Sequence, residues 1–208
     1  MGPAHGGPAA LQAPDLRPSA LLGQEMPERI LREKMRKLFD VYDTDGNGYI
    51  ERSDFEALAQ RINDGFADTG SPRAAEVTAV LHDTWEDLAS RMDVDSDQRI
   101  SLEEFLADKL DATRGGAAAS RRKTRQERRR LLFGVMDRDG DGHIDLDEHR
   151  RFYRAFGVSA AGAEESFAVL DVNSDGLLSV DEMVQASLEY STSADLDARS
   201  NDLLGPLD

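Results

Sequence analysis

Apolar residues recur at helical spacing in two long stretches of the first half of the chain. In PERILREKMRKLFDVYD, residues 27–43, Leu31, Met35, Leu38, Phe39 and Tyr42 share one face, and Pro27 suits a first helical turn. In SPRAAEVTAVLHDTWEDLASRM, residues 71–92, Ser71 and Pro72 make a helix start, and Val77, Leu81, Trp85, Leu88 and Met92 form one stripe. Aromatic residues punctuate the rest. Phe133 and Phe167 each stand four residues ahead of an acidic stretch, Phe55 and Phe105 directly follow one, and Phe152 and Phe156 come after a third. The pattern predicts helices on both sides of short polar loops, with the aromatic rings in a core.

The polar loops are copies of one another. DTDGNGYIERSD (43–54), DVDSDQRISLEE (93–104), DRDGDGHIDLDE (137–148) and DVNSDGLLSVDE (171–182) align without gaps over twelve places. Asp or Asn fills places one, three and five: Asp43, Asp45 and Asn47; Asp93, Asp95 and Asp97; Asp137, Asp139 and Asp141; Asp171, Asn173 and Asp175. Place nine carries Glu51, Ser101, Asp145 or Ser179, and an acid closes place twelve as Asp54, Glu104, Glu148 or Glu182. This is the pattern of an EF-hand calcium loop. Calcium is a hard ion that takes six to eight oxygens at about 2.3–2.6 Å, and alternate short carboxylates on a turning chain converge on one point. Place seven would give only its backbone carbonyl, so Tyr49, Arg99, His143 and Leu177 can differ freely, and the His143 imidazole is no expected ligand. Place eight is aliphatic because paired loops exchange backbone hydrogen bonds there, which predicts Ile50 opposite Ile100 and Ile144 opposite Leu178.

Charge fits this reading. The carboxylates at places one, three, five, nine and twelve number sixteen, the size of the net charge of −16, so the candidate ligands account for the acidity. Such a charge argues against general nucleic-acid binding and for a cation partner. With 208 residues, 39% hydrophobic and 32% charged, the chain can bury one sizeable core or two small ones. The absence of cysteine excludes a disulfide framework, a thiolate metal site and a cysteine nucleophile, and suits a reducing, cytoplasmic setting. The start, MGPAHGGPAALQAPDLRPS, lacks a basic patch followed by an apolar core, and no apolar run approaches membrane-spanning length. A soluble monomer without membrane or nucleic-acid partners is expected.

The four loops grade differently. The third, with five carboxylates and Gly142 at the turn, should be the strongest; the fourth keeps Gly176 and Glu182. In the first, Asp54 is one methylene shorter than glutamate, which favours six-fold coordination, hence magnesium or weaker calcium binding. In the second, Gln98 stands where the turn asks for glycine. A left-handed backbone there costs about 1–2 kcal/mol against about 8 kcal/mol for a micromolar site, so calcium binding should be weakened and not abolished. Up to four calcium ions are expected.

The intervals between loop starts are 50, 44 and 34 residues, unlike the nearly even repeats of calmodulin-like sensors. With its stretched first interval, FDVYDTDGNGYIERSDF, VMDRDGDGHIDLDE and the closing SNDLLGPLD, the chain resembles the sarcoplasmic calcium-binding proteins and their bacterial relative calerythrin over residues 28–208. The resemblance implies an all-α fold: four EF-hands in two pairs packed into one compact globule, with short β contacts between paired loops. It also implies a calcium buffer or signal modulator. Family ligand roles carry over to Asp43, Asp45, Asn47 and Asp54, to Asp137, Asp139, Asp141 and Glu148, and to Asp171, Asn173, Asp175 and Glu182. The second loop of the family is often degenerate, whereas here its carboxylates survive. The expected organisation is a disordered extension (1–26), a first pair (27–111), a linker (112–120), a second pair (121–190) and a tail (191–208) in which Leu203, Leu204 and Leu207 are spaced to dock between the halves.

Rival readings find less support. The basic run RRKTRQERRR, 121–130, could contact nucleic acid, membrane or a phosphorylated partner, but it lacks aromatic interleaving and leads directly into LLFGVMD, which makes it the exposed first turns of a helix. No GxSxG, HExxH or glycine-rich phosphate loop supports an enzyme. Calcium photoproteins share the arrangement of hands but surround a luciferin with several His, Trp and Tyr residues, and one tryptophan cannot supply them. A sensor that exposes a methionine-rich groove to a target protein is the main alternative to a buffer. Met35, Met92, Met136 and Met183, one per hand, favour burial.

Overall fold

The computed structural model describes residues 18–66, 70–113, 119–195 and 197–205, and the side chains of these except 18–27, 112–113 and 119–122. Among the described residues there are eight α-helices: α1 Pro18–Tyr42, α2 Arg52–Phe66, α3 Pro72–Met92, α4 Leu102–Thr113, α5 Ala119–Gly134, α6 Leu146–Ala155, α7 Ala160–Leu170 and α8 Val180–Thr192. A short 3-10 turn, Arg199–Asp202, follows α8. The helix expected to begin at Pro27 begins at Pro18, so Pro27 lies inside α1. A first-turn proline with fixed φ suits Pro18 as well. The rest of the expected disordered extension, residues 1–17, lies outside the described residues, as does 114–118 of the linker.

The α3 start follows the sequence closely. Ser71 has extended backbone, its hydroxyl accepts the Ala74 N–H at 3.2 Å, and Pro72 takes the first helical place, where its missing N–H leaves no bond unmade. The predicted stripe of Val77, Leu81, Trp85, Leu88 and Met92 is buried throughout. In each pair the outer helices pack together, α1 on α4 and α5 on α8, and so do the inner ones, α2 on α3 and α6 on α7. The pairs then join through α2 on α6, α3 on α5 and α1 on α8. Buried residues of both halves form one continuous core, in which Phe39 meets Phe105 edge-on at 5.7 Å and Phe133 meets Phe152 at 5.8 Å. Each such ring contributes about 1.5–3 kcal/mol of burial.

The paired loops meet as the aliphatic place predicts. Tyr49–Ile50 (β1) pairs antiparallel with Ile100–Ser101 (β2), Ile50 opposite Ile100. In the second pair, the Ile144 N–H donates to the Leu178 carbonyl at 2.7 Å and the Leu178 N–H returns a bond at 2.9 Å. All four side chains are fully buried, so each contact pins two loops to one core.

Two segments differ from expectation or add to it. The basic run forms α5, yet its arginines are not simply an exposed face: Arg128 pairs with Asp87 at 3.3 Å and donates to the Asp83 carbonyl at 2.8 Å, and Arg129 reaches the Ser191 hydroxyl at 3.2 Å. The reason is packing, because α5 lies between α3 and α8 and turns one side of its cationic face inward. The tail docks through Leu203, which is buried; its carbonyl accepts the Ser166 hydroxyl at 2.9 Å, and the Gly205 carbonyl accepts Lys37 of α1 at 2.9 Å. Leu207 lies outside the described residues. The fully buried Lys34 ties α1 to the second half, donating to the Ser193 carbonyl at 2.9 Å and lying 5.1 Å from the Tyr190 ring.

Candidate metal centres

The four loops build one cage from local hydrogen bonds. The place-one carboxylate accepts the place-six N–H in every copy: Asp43 from Gly48 at 2.8 Å, Asp93 from Gln98 at 3.1 Å, Asp137 from Gly142 at 3.0 Å and Asp171 from Gly176 at 2.9 Å. The place-five side chain accepts the place-seven N–H, from Tyr49, Arg99, His143 and Leu177 at 2.8–2.9 Å. Short side chains thereby fold back over the turn, and in the first three loops acidic oxygens gather around one point. Asn47 and Asn173 each donate an amide N–H to the acid two places away, Asp45 at 3.1 Å and Asp175 at 2.8 Å, which reduces repulsion inside those loops.

The closing carboxylate has a second task at the start of each outgoing helix. Glu148 accepts the Asp145 N–H at 3.0 Å while Asp145 accepts the Glu148 N–H at 2.8 Å, a reciprocal capping box; Ser179 and Glu182 repeat it. The other closing oxygen reaches the place-two N–H, of Thr44 at 2.9 Å, Val94 at 3.0 Å and Arg138 at 2.7 Å. Asp54, though shorter, spans the same two backbone donors and is buried. Helix capping thus presets the carboxylate before any ion arrives. Occupancy of the lone pairs differs. In the first, second and fourth loops one closing oxygen also takes a hydroxyl, from Thr44, Ser101 or Ser179 at 2.7–2.8 Å, whereas Glu148 takes one backbone donor on each oxygen. A carboxylate has about four acceptor positions, so Glu148 keeps one on both oxygens.

Electrostatics bears the mark of crowded acids. Burial, reinforced by Asp54 and Asp45, holds the Asp43 carboxyl above its ordinary value against the Gly48 and Asn47 hydrogen bonds. At Glu104 burial acts upward, but bonds from the Ser101 N–H and hydroxyl and from Val94 bring the carboxyl below it. Ligand oxygens of Asp43, Asp45 and Asp54, of Asp93, Asp95 and Glu104, and of Asp137, Asp139 and Asp141 lie within 4.8 Å of one another. Oxygens on opposite sides of a calcium ion stand roughly 5 Å apart, so these all-oxygen groups fit that ion. The fourth loop, with Asn173 at place three, does not gather three carboxylates at that distance.

Other features were not anticipated from sequence. The turn needs a left-handed residue at place four as well as six: Gly46 and Gly48, Ser96 and Gln98, Gly140 and Gly142, Ser174 and Gly176 all have positive φ. Gln98, at φ 66°, adopts the conformation its position demands, and Ser96, at 62°, adds a second such residue. Gly46 and Gly140, in register with the two serines, carry the signal for it. The Arg99 side chain is not idle: it lies over the Tyr49 ring at 4.9 Å, 3.4 Å from Asp97 and 3.9 Å from Glu51, placing a cation beside ligand candidates of two loops. Arg73, at the start of α3, donates to the Asp137 carbonyl at 2.6 Å and so ties the third loop to the first half. The His143 side chain is exposed, as a place-seven residue should be.

Helix–loop–helix units joined in pairs through place eight and enclosing hard oxygen cages define an EF-hand calcium-binding protein. Comparison with known proteins agrees: the EF-hand domain pair family matches residues 32–108, and the EF hand family matches 130–153 and 164–186. Calerythrin from Saccharopolyspora erythraea is 31% identical over 166 residues, covering 79% of this chain and 94% of that protein. Sarcoplasmic calcium-binding proteins I, III and IV of Branchiostoma lanceolatum are 32% identical over 151 residues, 70% of this chain and 78% of theirs. The solved structure of a Streptomyces coelicolor calcium-binding protein superimposes with a TM-score of 0.66 at 32% identity, covering 78% of this chain and 98% of that one. The chain belongs to the calerythrin and sarcoplasmic calcium-binding protein family, and it binds calcium.

Proposed function

We propose that the protein is a calcium buffer or signal modulator holding up to four ions. The observation that carries this reading is the burial of Met35, Met92, Met136 and Met183, all fully enclosed in the shared core, where a sensor would hold such residues ready for a target. The docked tail supports it, since Leu203 and Leu204 occupy the space between α1 and the second pair.

In this reading the side chains at places one, three, five and twelve ligate directly. Tyr49, Arg99, His143 and Leu177 give their carbonyls, and Glu51, Ser101, Asp145 and Ser179 ligate directly or through water. The third site is the tightest and the second the weakest. The first, closed by Asp54, also takes magnesium. The protein works as a cytoplasmic monomer; a chain without cysteine suits that compartment. Among the described residues no helix is long and apolar enough to cross a membrane. The relatives are calcium-binding proteins, and no catalytic role is assigned.

A second reading, a sensor with a protein target, draws on the Streptomyces relative, whose structure is described as a basis for prokaryotic calcium-mediated regulation. Fluorescence of a hydrophobic probe dye on metal-free, magnesium-loaded and calcium-loaded protein separates the two. A buffer gives high signal without metal and low signal with either ion. A rise with calcium alone, above the magnesium state, overturns the buffer reading.

A further inference from the structure

Two adjoining cavities lie between the halves and share Tyr42, Lys109, Arg129 and Leu132. The first, about 110 Å³, is walled by aromatic and aliphatic side chains, among them Phe133, Phe152, Phe156 and Leu203. The second, about 80 Å³, is ringed by cations: Arg91, Arg125 and Arg128 join Lys109 and Arg129. Taken together they exceed the roughly 150 Å³ of an apolar cavity that holds benzene. Neither has a part in calcium coordination.

The cationic ring is unevenly neutralised. Arg91 pairs with Asp87 at 3.1 Å and contacts Asp108, and Arg128 pairs with Asp87 at 3.3 Å. Lys109 and Arg129, which stand where the two cavities meet, have no carboxylate within ion-pair distance among the described residues; Lys109 lies 4.9 Å from the Phe105 ring and Arg129 donates to the Ser191 hydroxyl. Burial, with Arg129 and Arg91 nearby, pushes the Lys109 ammonium down to about 7 against the opposing pull of Asp108. In a chain of net charge −16, two inward cations that no carboxylate contacts directly stand out. Sheltered cations are ordinarily paired. A carboxylate at Lys109 and Arg129 would accept from the ammonium and from the planar guanidinium fork, and an apolar body behind it would enter the aromatic chamber. Few polar groups at one end of an apolar cavity is the usual form of a small-molecule site.

We propose that this two-part cavity binds a small apolar monocarboxylate, with its carboxylate on Lys109 and Arg129 and its hydrocarbon among the aromatic rings. The site is separate from the metal loops, and the proposal does not depend on the choice between buffer and sensor.

Calorimetric titration of the calcium-loaded full chain with octanoate tests it, with 1-octanol as the uncharged analogue and acetate as the short anion. The expected result is saturable one-to-one binding of octanoate about tenfold tighter than octanol, as one ion pair supplies, and none of acetate. Lys109→Met should erase the preference for octanoate while keeping octanol binding. Ser187→Leu, which adds volume to the apolar chamber, should weaken both ligands while calcium stoichiometry stays unchanged, which also shows that the variant is folded. Absence of saturable octanoate binding, equal affinity for octanoate and octanol, or an unchanged preference in Lys109→Met overturns the proposal.

Discussion

In the second loop, places four and six are Ser96 and Gln98, at φ 62° and 66°; in the third they are Gly140 and Gly142, at 78° and 88°. The two loops nevertheless make the same bonds: the place-one acid holds the place-six N–H, the place-five acid holds the place-seven N–H, and the closing glutamate caps the outgoing helix. The ligand pattern therefore specifies the cage, while residues that never touch an ion set what it costs to assemble. Two left-handed residues without glycine cost about 1–2 kcal/mol each. The second loop also carries Arg99 against Asp97, and a hydroxyl donor on Glu104 that Glu148 lacks. All three differences act in one direction, toward a weaker second site.

The largest test of this contrast removes the closing ligand. Glu148→Gln should lower affinity at the third site by more than the ~100-fold that loss of a supporting contact around a metal can cause, and Glu104→Gln should remove a weaker site; calcium titration with counted stoichiometry reads both. If the first event lost is the weak one in Glu148→Gln, the ranking of the loops is wrong. Next comes exchange of the turn residues. A Cβ at Gly140 or Gly142 would meet nothing within 4 Å, so Gly140→Ser with Gly142→Gln probes backbone conformation alone. It should weaken the third site by about tenfold or more, and Ser96→Gly with Gln98→Gly should strengthen the second by a similar factor. Equal affinities before and after would remove turn conformation from the explanation.

The halves also differ in acid response. The fully buried His149 in α6 stacks on Tyr153 at 4.1 Å, and burial lowers its pKa from 6.5 to about 3. The unfolded chain takes up the proton first, so its contribution to stability is complete above about pH 6.5 and is lost toward pH 3, by about 1.4 kcal/mol per unit in between. Chemical denaturation of the calcium-loaded protein at pH 7, 6 and 5 should show this slope, and His149→Phe should lack it. The smallest effect belongs to Arg99→Ala. Loss of an exposed cation beside Asp97 is worth about 0.2–1 kcal/mol, a few-fold gain in calcium affinity at the second site, read in the same titration. A loss instead would mean that its packing on Tyr49 matters more than its charge.

Much of this was legible in the chain. The twelve-place loops, the Ser71–Pro72 helix start, the α3 stripe and the pairing of Ile50 with Ile100 and of Ile144 with Leu178 are all found where the pattern puts them. These features are local, or repeat locally, so spacing reveals them. The need for a left-handed residue at place four was missed although Gly46, Ser96, Gly140 and Ser174 stand in register, because serine does not announce positive φ as glycine does.

What the sequence determined by itself is the chemistry of the loops and the inner face of each helix, since both follow from backbone periodicity and the reach of short side chains. Only the tertiary structure decided where the outer faces go. The arginines of 121–130 read as a solvated run until α3 and α8 pack against them, and the docking that the spacing of the closing leucines suggests takes its partner from the fold, as the Leu203 carbonyl accepts the Ser166 hydroxyl of α7. Lys109 and Arg129 lie on different helices and meet across a cavity that neither helix defines alone. Helical spacing fixes which residues share a face; which surface that face meets depends on contacts between residues far apart in the chain.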